Sequence, residues 1–235
     1  MPQLSHTVGE VISYIEMCQA WSTSLQRGMN FRLRPDCSVI LMSRRSNAPY
    51  RDRIEESGSV LIYEGHDISR SQSGPNPKLV DQPRVTPSGK LTQNGMFAEA
   101  AAKAKAGAGP PQLVAVYEKI HAGIWAFNGC FLLTDSWTES DGHRNVFKFR
   151  LELSVRADET LDQPSQELLH IRLIPSAVKL EVWTRDKGQC VLCGSKRNLH
   201  FDHDLPFSKG GSSLSVNNIK LLCAKHNLSK GAKIQ

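Results

Sequence analysis

Two short spacings near the C-terminus constrain this chain most: Cys190-x2-Cys193 and, thirty residues on, Cys223-x2-His226. Two residues between ligands let a tight turn aim both side chains at one point. Three cysteines and a histidine make a tetrahedral donor set of the structural-zinc kind. The unit they would staple, residues 176–235, is small for a hydrophobic core, so a bound Zn2+ would help it fold. Between the pairs lie LHFDHDLPFSKGG and SVNNIKLLC. The first reads as a strand running into a loop and the second as a returning strand. CAKHNLSKGAK then opens as a helix. The result is a β-hairpin with Asp202 and His203, followed by a helix with Asn227. By strand alternation His200 and Asp202 share one face and His203 falls on the other. His200 is read as structural and Asp204 as turn-stabilising.

Charge points to the same region. The chain of 235 residues carries 29 Lys/Arg against 23 Asp/Glu, a net +6. Residues 176–235 hold ten of the basic and four of the acidic residues, so they carry the whole excess. A basic block of this kind suits a polyanion partner. The longest apolar run, Leu113–Tyr117, is far too short to span a membrane. The N-terminus lacks a basic patch followed by an apolar stretch, so a cytoplasmic, bacterial-type protein acting at the nucleoid is expected. In that compartment Cys18, Cys37 and Cys130 read as small buried hydrophobes.

The rest of the chain reads as mainly β. Residues 9–27 show a helical rhythm of Val11, Ile12, Ile15, Met17 and Leu25. Short β-branched stretches follow at 38–43 and 59–65. Alanine-rich Met96–Ala106 is the clearest helix, stopped by Gly107, Gly109 and Pro110. Three longer strand runs begin at Gln112, Gly123 and Asn145, with Asn128-Gly129 and Asp141-Gly142 read as turns between them. Residues 157–175 look like a connector. The expected class is α+β in three parts: a mainly β domain over 1–156, a linker over 157–175 and a metal-stapled ββα unit over 176–235.

The C-terminal unit resembles the HNH endonuclease family. The residues that carry the resemblance are Cys190-x2-Cys193, Asp202-His203, Leu205-Pro206, Lys209-Gly210-Gly211, Asn218 before Ile219, and Cys223-x2-His226-Asn227-x2-Lys230-Gly231. His226 stands where the family usually has a fourth cysteine. The resemblance implies that His203 is the general base, a role that suits an imidazole. It implies that Asp202 and Asn227 hold one Mg2+ or Mn2+ through hard oxygen ligands. Asn218 would orient His203 or brace the hairpin. Lys209, Lys225 and Lys230 would contact the phosphate backbone.

Residues 20–155 resemble the SRA-YDG family of modified-cytosine readers, a PUA-like twisted sheet or barrel with flanking helices. The resemblance rests on LIYEGHD (61–67), TQNGMFAEAAAKA (92–104), IWAFNGCFLLTDSWTE with Phe127-Asn128-Gly129, and VFKFRLEL (146–153). It implies that a cytosine is flipped into a pocket with aromatic walls and polar groups for its Watson–Crick edge. Tyr50, Asp52, Tyr63 and Glu64 are the candidates for that pocket, and Arg44 and Arg45 for the adjoining phosphates.

Together the two resemblances imply a modification-dependent endonuclease acting on double-stranded DNA with a modified cytosine. One apparent active site per chain would call for a homodimer, or two binding events, to cut both strands. Two other readings stay open. One is an HNH nuclease whose front domain recognises unmodified DNA. The other is a non-catalytic modified-DNA reader with a zinc module.

Overall fold

A computed structural model describes residues 6–55, 59–70, 74–154, 173–205 and 210–230. These residues form a mixed α+β, mainly β architecture: one ten-stranded sheet and four α-helices. Among them no helix is long and apolar enough to cross a membrane. The expected connector lies outside the described residues up to position 172.

The rhythm over 9–27 is not one helix. Glu10–Ser13 is strand β1, and helix α1 runs Tyr14–Trp21. Ser13 sets the boundary with a capping box. Its hydroxyl accepts from the Glu16 N–H, and the Glu16 carboxylate accepts from the Ser13 N–H. Strands β2 (Met29–Arg34), β3 (Cys37–Met42), β4 (Arg53–Glu55) and β5 (Val60–Glu64) follow. Helix α2 is Gln93–Lys105, capped by Thr92 and ended by the positive-φ Gly107 as its sequence indicates.

Strands β6 (Gln112–His121), β7 (Ile124–Ser140) and β8 (Asn145–Leu153) form the long meander. Asp141-Gly142 sits in the β7–β8 connection. Asn128-Gly129 does not turn the chain. It lies inside β7, where the register against β6 shifts between Gly129 and Phe127. The motif is a β-bulge, and its extra residue, Asn128, is fully buried.

Helix α3 (Ser176–Arg185), strand β9 (Leu199–His203), strand β10 (Ile219–Cys223) and helix α4 (Ala224–Lys230) complete the chain. The last three are the expected ββα arrangement. They join the front sheet directly, because β1 pairs antiparallel with β7 on one side and β9 on the other. The strand order is β10-β9-β1-β7-β6-β3-β2, with β8 pairing β7 and β5, and β5 pairing β4. Strands β3 and β6 pair in parallel.

Among the described residues three apolar clusters form the core. Phe97, Phe131 and Phe149 centre the one under α2, and Met17, Trp21 and Tyr117 the one under α1. The third is shared: Ile120 and Ala126 from the meander pack with Val178, Phe201 and Leu221.

Candidate functional site

Tyr50, Asp52 and Tyr63 line one cavity of about 670 Å3, with Ser43 and Arg45 also in its wall. The loop after β3 supplies Ser43, Arg45, Tyr50 and Asp52, while β5 supplies Tyr63. Asp52 joins the two segments, because its carboxylate accepts from the N–H groups of Ser43 (3.2 Å) and Glu64 (3.1 Å). Burial pushes its pKa up to about 7 despite those two donors. The carboxyl can therefore act as donor or acceptor near neutral pH.

Behind the wall, the Tyr50 ring stacks on His66 at 5.5 Å and carries Lys78 Nζ 4.3 Å from its centroid. Tyr63 Oη lies 3.2 Å from His66 Nε2. Burial pushes the His66 pKa down to about 4, with Asp67 opposing the shift. A neutral imidazole therefore braces both tyrosines at pH 7.

Glu64 is a correction to the sequence reading. It does not line the cavity. Successive strand residues face opposite ways, so Glu64 turns from Tyr63 into a buried ion pair with Lys148 Nζ at 2.9 Å. Arg144 lies beside it, bound to Asp67 at 2.6 Å. Arg44 is exposed, as a phosphate contact needs to be, and Arg45 is half-buried at the cavity rim.

Cys190, Cys193, Cys223 and His226 bring their donor atoms within 4.8 Å of one another. Zn–S bonds of about 2.3 Å place two sulfurs about 3.8 Å apart in a tetrahedron. Cys193 and Cys223 Sγ are 3.9 Å apart, and His226 Nδ1 lies 3.3 Å from Cys190 Sγ and 3.4 Å from Cys223 Sγ. Both the donor set and the spacing fit zinc. Burial raises the Cys190 thiol, but hydrogen bonds from the backbone at Cys223 and Leu192 outweigh it and bring it to about 6. That favours the thiolate a metal needs.

Helix α4 returns over β9 and gathers the remaining candidates. Phe201 faces the core and Asp202 the opposite side, while His203 ends the strand with Nε2 2.8 Å from Ser213 Oγ. Burial lowers the His203 pKa, and the Asp202 charge opposes that. Asn218 braces the hairpin loop: its side chain bonds both the N–H and the carbonyl of Leu205, at 2.8 and 3.1 Å. Gly211 must lack a side chain, because a Cβ there would collide with the Leu205 carbonyl. Asn227 is half-buried on α4 and Lys225 is exposed. Lys209 lies outside the described residues.

Lys230 also departs from its expected role as a phosphate contact. It is 3% exposed and cannot reach along a DNA backbone. Its ammonium bonds Asp202 Oδ2 at 2.6 Å and the His203 carbonyl. The carboxylate expected to hold a divalent ion therefore already holds a cation. Asp204 pairs with Lys220 at 2.8 Å across the hairpin, in keeping with a turn-stabilising role. His200 is half-buried, with Nδ1 3.5 Å from Thr7 Oγ1.

One buried group had no sequence signal. Lys179 of α3 donates to Glu118 of β6 at 2.8 Å and to the bulged Asn128 at 2.6 Å. Asn128 in turn donates to Glu118 at 3.1 Å. Glu118 and Asn128 stand 61 and 51 positions from Lys179 along the chain, beyond any local pattern.

No protein-family model and no curated protein matches the chain. Among solved structures it is similar to the SUVH5 SRA domain in complex with hemimethylated CG DNA. That match has a TM-score of 0.45 and 22% identity over 69% of this chain and 94% of the other. The same domain bound to fully hydroxymethylated CG DNA matches with a TM-score of 0.45 and 20% identity, over 70% and 96% of the two chains. Arabidopsis thaliana SUVH6 in complex with SAM matches with a TM-score of 0.42 and 19% identity, over 87% of this chain and 32% of that one.

Proposed function

We propose that the protein binds duplex DNA and takes a flipped, modified cytosine into the cavity of Tyr50, Asp52 and Tyr63. The carrying observation is that these three side chains, from two separate segments, line one cavity. Aromatic walls suit the faces of a base, and a carboxyl that titrates near 7 suits the donors and acceptors of a Watson–Crick edge. Flipping costs a few kcal/mol of stacking and pairing, which contacts inside the cavity and from Arg44 and Arg45 to phosphates would offset.

The test is binding without added divalent ion to matched duplexes carrying cytosine, 5-methylcytosine or 5-hydroxymethylcytosine. At least tenfold preference for a modified duplex is expected, reduced to near parity in Asp52→Ala. Equal affinity for all three duplexes sinks the reading.

A second reading is that the ββα unit hydrolyses phosphodiester bonds. It is favoured by the packing of α4 on β9, which places the helix carrying Asn227 against the strand carrying Asp202 and His203. In this reading His203 takes the proton from an attacking water, held in place through Ser213. Asp202 and Asn227 offer the hard oxygens for a Mg2+ or Mn2+, which would stabilise charge on the leaving oxygen. Lys230 must then release Asp202. Incubation of modified duplex with Mg2+ or Mn2+ should give cleavage in the wild type and none in His203→Ala with DNA binding intact. Binding without any cleavage leaves a reader with a zinc module.

A further inference from the structure

Helix α4 sets two unlike groups against strand β9. Asn227 and Lys230 stand three positions apart, so they are neighbours on one helix face. Asn227 offers an oxygen of the kind a divalent ion takes. Lys230 offers a positive charge, which repels such an ion. Its ammonium donates to Asp202 Oδ2 at 2.6 Å and to the His203 carbonyl. The Asp202 side chain is 28% exposed and that of Lys230 3%. Ions in solution can therefore reach the carboxylate, while the dry ammonium depends on it.

The neighbouring cation does not share this position. Lys220 lies opposite Asp202 in the hairpin register, but its ammonium pairs with Asp204 at 2.8 Å. Lys230 is thus the charge that a divalent ion meets at Asp202. One route leaves the ion beside a buried ammonium, with like charges in close approach. The other makes Lys230 give up its carboxylate, with the His203 carbonyl left to it. Both routes cost free energy, so ion binding and the Lys230–Asp202 pair are coupled whichever is taken.

A DNA phosphate changes that balance. It adds negative charge beside both cations, and Mg2+ is commonly held by carboxylates together with substrate phosphates. We propose that Lys230 is a built-in competitor for the divalent ion. It holds Asp202 in the free protein and yields it when a DNA phosphate enters, so that ion loading follows DNA binding. The inference rests on the hydrolytic reading of the ββα unit above and adds a control to it.

Mn2+ binding to the zinc-loaded full chain, followed by electron paramagnetic resonance, reads the site without relying on cleavage. Lys230→Met should bind Mn2+ roughly tenfold or more tighter than the wild type, and adding Asp202→Asn should remove the gain. Lys230→Arg keeps the charge and should stay as weak as the wild type. Equal Mn2+ affinity in the wild type and Lys230→Met, with zinc content and melting temperature retained, overturns the competition. So does tight binding by Lys230→Arg. Should Lys230→Met lose its zinc, magnetic resonance of isotope-labelled lysine ammonium groups in the wild type decides. The Lys230 signal should move as Mg2+ is added, and a signal that stays put overturns the proposal. A duplex is then added in a His203→Ala background, with ions held by DNA alone subtracted. The gain in Mn2+ affinity should be larger with Lys230 than with Met at that position, and equal gains overturn DNA-linked loading. If the variants follow this pattern and no form cleaves DNA, the hydrolytic reading falls and the competition at Asp202 stands.

Discussion

Asp52 shows how one buried residue ties stability to pH. Its folded pKa is about 7, whereas an unfolded aspartate titrates near 4. The fold therefore favours the neutral acid. The stabilisation is fully present below about pH 4 and is lost as pH rises through about 7. Three units at 1.36 kcal/mol each make the swing about 4 kcal/mol. His66 works in the opposite sense. Its folded pKa of about 4 lies below the ordinary histidine value, so its contribution is present above about 6.5 and lost as pH falls through 4. Asp52→Asn keeps the shape and removes only the first titration. Thermal melts from pH 4 to 8 should show the wild type losing stability relative to this variant as pH rises. Parallel profiles would remove Asp52 from that role. Tyr50, Asp52 and Tyr63 were named because the family resemblance calls for aromatics and an acid, and the fold brings the three to one cavity. The position of Glu64 was not legible, since its partner Lys148 stands 84 residues away.

At the scale of elements, pattern was a good guide where a segment answers to local chemistry. The strands around Val39, Ile62 and Val116 follow from β-branched runs, and α2 follows from its alanines. The spacing of Cys190, Cys193, Cys223 and His226 announced their cluster, because ligand spacing is a local property of a turn. Pattern failed where partners from afar decide. Val11 and Ile12 fit a helix equally well, and they extend because β7 and β9 flank them on both sides. The bulge at Asn128-Gly129 looks like a turn until β6 is placed beside it.

Two predictions belong to this scale. Stripping zinc with a chelator should unfold β9, β10 and α4 first, read as lost amide-exchange protection there while α2 stays protected. Cys193→Ser should do the same without chelator. Protection that survives both treatments would deny the metal a structural role. Gly9 makes the second joint. It holds φ +85°, and a Cβ would come within 2.8 Å of the Phe201 carbonyl. Gly9→Ala should cost about 1–3 kcal/mol, read by denaturant unfolding, with the loss concentrated where β1 meets β9.

Across the whole molecule, the proposed base cavity and the ββα unit are held in a fixed relation by contacts that a linear map of the sequence hides. The sheet runs without interruption from β10 through β1 to the meander, and the third apolar cluster draws residues from both ends of the chain. The ion pair of Lys179 and Glu118 lies inside this junction, both side chains at most 2% exposed. Burial alone would raise the Glu118 pKa, but Lys179 and the surrounding donors more than reverse that and hold it below the ordinary value. A buried pair is weak evidence for net stability, because desolvation offsets much of the attraction. Removing one partner is a different matter, since the other is left charged and dry. Lys179→Met should therefore cost about 3–5 kcal/mol, seen as a large fall in the unfolding midpoint. The pair Lys179→Met with Glu118→Gln should recover much of that loss, because no unpaired charge remains. If the double variant is no more stable than Lys179→Met alone, the loss comes from packing and not from charge. If it recovers, and if the protein both binds and cleaves modified DNA as the two proposed readings have it, comparing affinity with cleavage asks whether the junction also sets where a bound base lies relative to His203. An ion pair that only stabilises the fold would leave both as in the wild type. One that also orients the two parts would change the position of cleavage while affinity holds.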